Sequence, residues 1–577
     1  MRKAFVVLLI FLAGSIPVVS QIPGLPGDYF KLLETGVKRI ESEWKRFPNP
    51  ALKQLEGEQL FAHFPHAILI PAVLYAVKHP SNNSFKKLQY RQLAFEIGDM
   101  LVTENRNGTY DKRHDSDWDT QMWMEAYRLL EKELGDTRRN AWKEAILQNV
   151  TPLEELVKKY QDHPAYNAPY IVTSPNHYAI YSSTLLMAGN IFHNKYWVAL
   201  ASKSLHRFCT KEQAADGYWG EHSNAGPTTG YDYITLTQIG LYWEYSKDNA
   251  ALDALRKSLD FHKHYTYMDG TPVETINDRN RYWGPSMWGH FGFSHFADGR
   301  RYSAFLTSFF PKEGDSKSYG GDVQSLAHIA QNAIYFHEGK PGVIPQDKDN
   351  YAHRMHIPAG IRKTGQWTAT YSGIIAPPVS LNNFFLDRQS HFSVFHDKVG
   401  LIISGANSKR QPGLATFTED LSGDHLHMPV SSELAMADSA DHLSLAYNVF
   451  FATIEFPKPA PGKFAFAVKT KYKWGEAKTQ MNLQLVLKNG SELVTGSGKK
   501  YILGTTPLAL DSTELAGEIK TSGWTMHIPG GAILYWPVYP FNPYRDAPEE
   551  DISRAVGRLT FPLQLKDQQF DFNIDMQ

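Results

Sequence analysis

Near Pro345 the hydrophobic pattern of this chain changes period, and that change demands a fold in two parts. From about Asp28 to Gly342, apolar residues recur three and four positions apart. Examples are YFKLLETGVKRIESEW, AILIPAVLYAVKH, TQMWMEAYRLLEKELG and VQSLAHIAQNAIYFHEG. Such spacing lines one face of a helix, and about ten stretches show it. Beyond Pro345, runs such as IRKTGQWTATYSG, HLSLAYNVFFATIEFP, GKFAFAVKTKYKW and GRLTFPLQL alternate or carry β-branched residues between Gly, Pro and Asn turns. They predict antiparallel strands. Antiparallel helix pairs close into a ring or stack into a solenoid, and no fixed-period repeat favours the solenoid. The expected fold is therefore an N-terminal α/α toroid, an incomplete barrel, followed by a C-terminal antiparallel β-sandwich. The expected boundaries are a signal peptide over 1–20, the toroid over 21–342 and the sandwich over 343–577, joined through HEGKPGVIPQDKDNYAHR.

At 577 residues the chain is too long for a single core. Its net charge is −1 and it contains no basic run, which argues against nucleic acid as the main partner. Arg2 and Lys3 precede an apolar run, Ala4 to Ala13, and small residues near Ser20 suit cleavage before Gln21. That run is short for a membrane span, and no later stretch is apolar enough to cross. Cys209 is the only cysteine, so neither an intramolecular disulfide nor a Cys-based zinc site is available. The expected location is periplasmic or secreted.

Three polar segments interrupt the helical half. SPNHYAIYSSTLLMAG places Asn176 and His177 just ahead of a helix. DGYWGEHSNAGPTTGYDYITLTQ carries Trp219, Glu221, His222, Tyr231 and Tyr233 on a loop longer than a helix connection needs. DGTPVETINDRNRYWGPSMWGHF adds Glu274, Asn277, Arg279, Asn280, Arg281, Trp283 and Trp288. Each residue alone has an ordinary role, such as a helix cap or an aromatic anchor. Together they offer groups for acid–base work on an anionic sugar: Arg for a carboxylate or sulfate, and Trp, including Trp118 further upstream, for stacking.

Asp216-Gly217, Glu221-His222 and Thr229-Gly230-Tyr231 resemble the DG…H…TG.Y segment of toroid-plus-sandwich polysaccharide lyases. That superfamily includes heparinase II/III-like enzymes, alginate lyases and hyaluronate/chondroitin lyases. The resemblance extends to the helices-then-strands order of the whole chain, and three short motifs are specific to it. It implies β-elimination at a 4-linked uronate, in which the C5 proton is removed and the O4 group expelled. Neutralising the uronate carboxylate makes that proton acidic enough to leave. The resemblance assigns this to Asn176, with Arg279 or Arg281 helping. Tyr231 and His177 would move the protons, with His222 as the alternative to His177 and Tyr233 competing with Tyr231. Glu221, Asn280, Trp219, Trp283 and Trp118 would contact an anionic polysaccharide or oligosaccharide.

Two other readings fit the residues. A glycoside hydrolase on an α/α barrel, of the unsaturated glucuronyl hydrolase kind, needs two carboxylates, which Asp115, Asp117, Asp119 and Asp216 could supply. A non-catalytic periplasmic glycan-binding protein would need only the aromatic cleft. No cofactor is called for. His391 and His396 fall on opposite strand faces and His425 and His427 on one face, which leaves a divalent metal open without specifying one.

Overall fold

The computed structural model describes residues 25–46, 64–112, 114, 117–160, 175–220, 226–277, 284–310, 323–375, 390–405, 410–542 and 545–577. The predicted signal peptide lies outside them. The described helices of the first half are α1 (Leu25–Arg46), α2 (Phe64–Ala67), α3 (Leu69–Ala76), α4 (Leu88–Arg106), α5 (Trp118–Leu130), α6 (Gly135–Val150) and α7 (Leu153–Tyr160). They continue as α8 (Pro175–Ile191), α9 (Lys195–Arg207), α10 (Thr229–Ser246), α11 (Asn249–His264), α12 (His290–Phe293), α13 (Ala297–Thr307) and α14 (Val323–Tyr335).

Two kinds of helix alternate. α3, α5, α8 and α10 are buried almost all round, as helices of an inner wall must be. α4, α6, α9 and α11 bury one face and give the other to water. The last helix returns to the first: α14 packs along α1, where a Cβ on Gly36 would lie 2.6 Å from Leu326 Cδ1. Any side chain at position 36 would force Leu326 to shift. Tyr29 on α1 also reaches His290 Nδ1 at 2.9 Å. The ring thus ends where it began, as a toroid does.

The second half is a sandwich of two antiparallel sheets. One has eleven strands and runs from Asn350–Arg354 through Trp367–Ser372, Phe392–His396 and Gly400–Ser404 to Lys478–Leu485 and Val556–Leu563. The other has nine and is built around Lys463–Tyr472 and Gln568–Met576. Their inner faces interdigitate through aromatic rings: Phe392 meets Phe456 at 5.3 Å and Phe466 at 5.1 Å, and Phe561 meets Phe572 at 5.5 Å. Those pairs bridge the sheets, and a single apolar core fills the space between them.

Toroid and sandwich share a third core. Tyr218, Phe261, Tyr265, Val273 and Ile276 pack against Met355, Ile361, Ile374 and Phe395. The Tyr267 ring stacks on Phe395, with centroids 4.7 Å apart and planes 4° from parallel. Its hydroxyl pairs with Ser393 Oγ at 2.7 Å. Gln346, in the short turn Pro345–Asp347, donates to the carbonyls of Lys263 and Thr266 at 2.8 Å each. The chain between α14 and the first strand is therefore fastened to the end of α11. Among the described residues no helix is long and apolar enough to cross a membrane.

The histidines of the sandwich have internal partners. His391 donates from Nδ1 to the Ser372 carbonyl (2.8 Å), which leaves Nε2 to accept from the Tyr447 hydroxyl (2.8 Å). His396 lies edge-on to Trp367, and His425 pairs with Asp420. Cys209 is buried, as its helical surroundings predict, and burial pushes its thiol up.

Candidate active site

Asn176 and His177 of one sequence knot, and Tyr231 and Tyr233 of the other, lie inside the helices they were expected to precede. α8 begins at Pro175, so Asn176 and His177 occupy its first turn. Proline suits that position because its missing N–H is not needed there. α10 begins at Thr229, so Tyr231 and Tyr233 are helical rather than on the loop.

α8 and α10 are parallel neighbours. α9 folds back along α8 after Asn194, whose side chain accepts from the Tyr196 and Trp197 amides, and Ser182 meets Ser204 at 2.8 Å. The chain then returns to start α10 at the same end as α8. The register follows from the contact between Ser183 and Gln238, both also joined by Gln121 of α5 at 2.9 and 2.8 Å. Ser183 lies seven residues beyond Asn176, and Gln238 seven beyond Tyr231. Seven residues are nearly two full turns, about 10 Å along the axis, which restores the same helix face. Asn176 and Tyr231 therefore flank one seam at one height. Asn176 is fully buried, while His177 and Tyr231 are half-buried.

The third polar segment and the sandwich close on the same end. Asn277 Oδ1 accepts from the Thr229 amide at 3.3 Å, the first residue of α10. Two residues earlier, Thr275 donates to Ser393 Oγ of the sandwich at 2.6 Å, and Glu274 accepts from the Gly405 amide at 3.0 Å. The start of α10 thus sits at the junction of the two domains.

Tyr233 takes a different role from Tyr231. Two residues apart on a helix is about 200°, so the two tyrosines point to opposite sides. The Tyr233 hydroxyl is 2.8 Å from that of Tyr302 in the interior, its ring lies 4.0 Å from His262, and burial holds its pKa far above the usual tyrosine range. It is a packing residue. Trp219, expected to contact substrate, is likewise core: it is 2% exposed, and its indole donates to the Phe208 carbonyl at 2.9 Å. Its amide donates to Asp232 Oδ1 at 2.7 Å, and Asp232 Oδ2 pairs with His262 Nε2 at 2.6 Å. Burial raises the Asp232 carboxyl, opposed by His262. Sequence reasoning passed over this pair, although an Asp beside the candidate tyrosine and a His on the next helix were visible. The backbones of Gly220 and Pro227 then bridge antiparallel, clasping the two ends of the segment between them. Glu221 and His222 fall in that segment, outside the described residues, as do Arg279, Asn280, Arg281, Trp283 and Asp115.

Trp118 and Trp288 lie deeper in the ring. Thr184, two turns beyond Asn176, donates to the Asp117 carbonyl at 3.3 Å, and Gly289 abuts Leu236 and Thr237. The half-buried indoles meet edge-on at 5.0 Å, and Trp288 stacks on His328 at 3.8 Å. Burial, reinforced by His66, holds His328 neutral. Two of the four carboxylates of the hydrolase reading, Asp119 and Asp216, are engaged elsewhere. Asp119 is paired with buried His66 at 2.8 Å, and Asp216 accepts from both the amide and Nδ1 of His356 at 2.8 Å.

No family model matches the chain, and no curated protein matches it in sequence. Solved structures do match in three dimensions. A chondroitin AC lyase from Streptomyces coelicolor A3, in complex with chondroitin sulphate, aligns over 95% of this chain and 79% of its own, at 11% identity and a TM-score of 0.52. A xanthan lyase from Paenibacillus aligns over 90% of this chain and 54% of its own, at 11% identity and a TM-score of 0.51. A heparinase III aligns over 89% and 78%, at 10% identity and a TM-score of 0.50. Helical ring, sandwich and their order along the chain agree throughout: this protein has the toroid-plus-sandwich fold of polysaccharide lyases.

Proposed function

We propose that the protein is a polysaccharide lyase that cleaves a uronate-containing glycan by β-elimination, at the mouth of the toroid where the sandwich abuts it. The observation that carries this reading is the placement of Asn176 and Tyr231 at one height on adjacent parallel helices. Two helix N-termini point to the same place, and their dipoles favour an anion there. A bound uronate carboxylate would receive the Asn176 amide, which acts outside bulk water and so stabilises charge that grows in the transition state. His177, with His222 as the alternative, takes the C5 proton, and the Tyr231 hydroxyl delivers a proton to the O4 leaving group. Trp118 and Trp288 offer a floor on which a sugar ring can stack. Hydrolysis would instead need two carboxylates flanking the bond, and of the four candidates Asp119 and Asp216 are held in ion pairs. The substrate would be an anionic polysaccharide met outside the cytoplasm, after removal of the leader.

The test is ultraviolet absorbance during incubation with alginate, heparan, chondroitin, hyaluronan, ulvan and rhamnose–glucuronate glycans. A rising signal from a new C4=C5 double bond on one of them is the expected result. New reducing ends without that signal would mean hydrolysis and overturn the proposal.

A further inference from the structure

Tyr231 stands at one end of α10, and Glu244 stands thirteen residues on at the other, about 20 Å away. Two histidines from other elements converge on it. His295 lies between α12 and α13, and His337 follows α14 by two residues, on the way to the sandwich. Their Nε2 atoms approach the same carboxylate oxygen, Glu244 Oε1, at 3.2 and 2.7 Å, and the rings lie 3.9 Å apart. One donor atom from each of the three residues falls within 4.8 Å of the other two. Among the described residues this is the only group of three side chains so arranged.

The surroundings hold the group in place. Trp243 lies edge-on to His295 at 5.6 Å, the His337 amide donates to Ser294 Oγ at 2.9 Å, and the second Glu244 oxygen accepts from Lys247 at 2.7 Å. Glu244 and His295 are about nine-tenths buried, while His337 is 43% exposed and leaves one side open to solvent.

We infer that Glu244, His295 and His337 form a binding site for a divalent transition-metal ion, zinc being the best fit, remote from the proposed active site. Metal–ligand bonds of about 2.0–2.2 Å in a tetrahedral arrangement set ligands about 3.3 Å apart. The Glu244–His295 distance already meets this, and the Glu244–His337 contact needs to open by about half an ångström. Two imidazoles and one carboxylate select zinc, cobalt or nickel over calcium or magnesium. Three protein ligands leave a fourth position for water on the exposed side of His337. The ion would join the end of α10, the α12–α13 connection and the segment leaving α14, so it would brace the ring where the chain departs for the sandwich. Nothing here depends on the lyase reading.

The test uses the full chain, stripped with a chelator and dialysed. Zinc binding is measured by competition with a chromogenic chelator, thermal unfolding is followed with and without zinc, and cobalt is added as a visible-absorption probe. Expected are one zinc per chain, a Kd of micromolar or tighter, a Tm raised by a few degrees, a tetrahedral cobalt spectrum, and no response to calcium or magnesium. His337→Ala, at a half-exposed position that should not unfold the chain, should weaken zinc binding more than tenfold. His206→Ala, at an exposed histidine paired with Asp248, should leave it unchanged. Absence of stoichiometric binding to the wild-type chain, or undiminished binding by His337→Ala, would overturn the inference.

Discussion

Asp232 and His262 face each other at 2.6 Å with neither side chain exposed to solvent. The pair lies directly behind the first turn of α10 and also holds the Trp219 amide, so one carboxylate positions both the helix bearing Tyr231 and one side of the Gly220–Pro227 clasp. Removing one member of a buried pair strands the other. Asp232→Ala should cost about 3–5 kcal/mol, read from the urea midpoint. Asp232→Asn, which still accepts from the Trp219 amide, should cost less.

The two neighbouring tyrosines should separate cleanly on substitution. Tyr231→Phe should lower turnover by roughly 10²–10⁴-fold, the usual worth of a positioned proton donor, with Tm unchanged. Tyr233→Phe removes only the hydrogen bond to Tyr302. It should cost about 1 kcal/mol in unfolding free energy and leave most activity. The reverse result in a side-by-side assay would transfer the catalytic role to Tyr233.

Asn176→Ala should reduce kcat about 10²–10³-fold, as loss of one preorganised donor does. KM should change much less, because the donor matters most when charge develops. Steady-state kinetics on the identified glycan separates the two constants.

At the domain junction, Tyr267→Ala removes the stack on Phe395 and the Ser393 hydrogen bond. The loss should be about 3–5 kcal/mol. Because the contact joins the two domains, denaturant unfolding should also become less cooperative, splitting into two transitions.

Stability should fall in mild acid. Burial, and then its stacked partner His353 4.1 Å away, hold His264 down to about 4, and burial takes His290 and His391 to about 4 as well. Histidines held below their ordinary value of about 6.5 stay neutral in the folded chain but charge in the unfolded one. Their contribution is complete above about pH 6.5 and is lost as pH drops toward 4. Unfolding free energies measured across that window should show the decline, and His264→Gln should make it shallower.

The architecture was legible because a change of hydrophobic period survives any uncertainty about element ends. Runs such as GKFAFAVKTKYKW became the strand Lys463–Tyr472, and VQSLAHIAQNAIYFHEG became α14. The site was less legible because it depends on where two helices start. With Tyr231 and Tyr233 placed on a loop, nothing distinguished them. Beginning α10 at Thr229 sends them about 200° apart. Trp219 reads from sequence as a stacking face because its neighbours are polar, yet its partners, Phe208 and Asp232, come from elsewhere in the chain. The proposed metal site is illegible in the sequence for the same reason. Glu244, His295 and His337 are spread over three elements, whereas the histidines that drew attention were neighbours in sequence.

The contact of α14 with α1 has a consequence during synthesis. A solenoid can add each repeat to a finished end, but here the opening helix lacks one of its partners, α14, until nearly 280 further residues have been made. At roughly 5–20 residues per second this is a delay of tens of seconds. Throughout it, α1 has only part of its final seat: Phe30 can stack on His79, 5.1 Å away, but the side of α1 that meets Leu326 stays open. Completion of the ring is thus a late event, reached only when the last helix of the toroid meets the first.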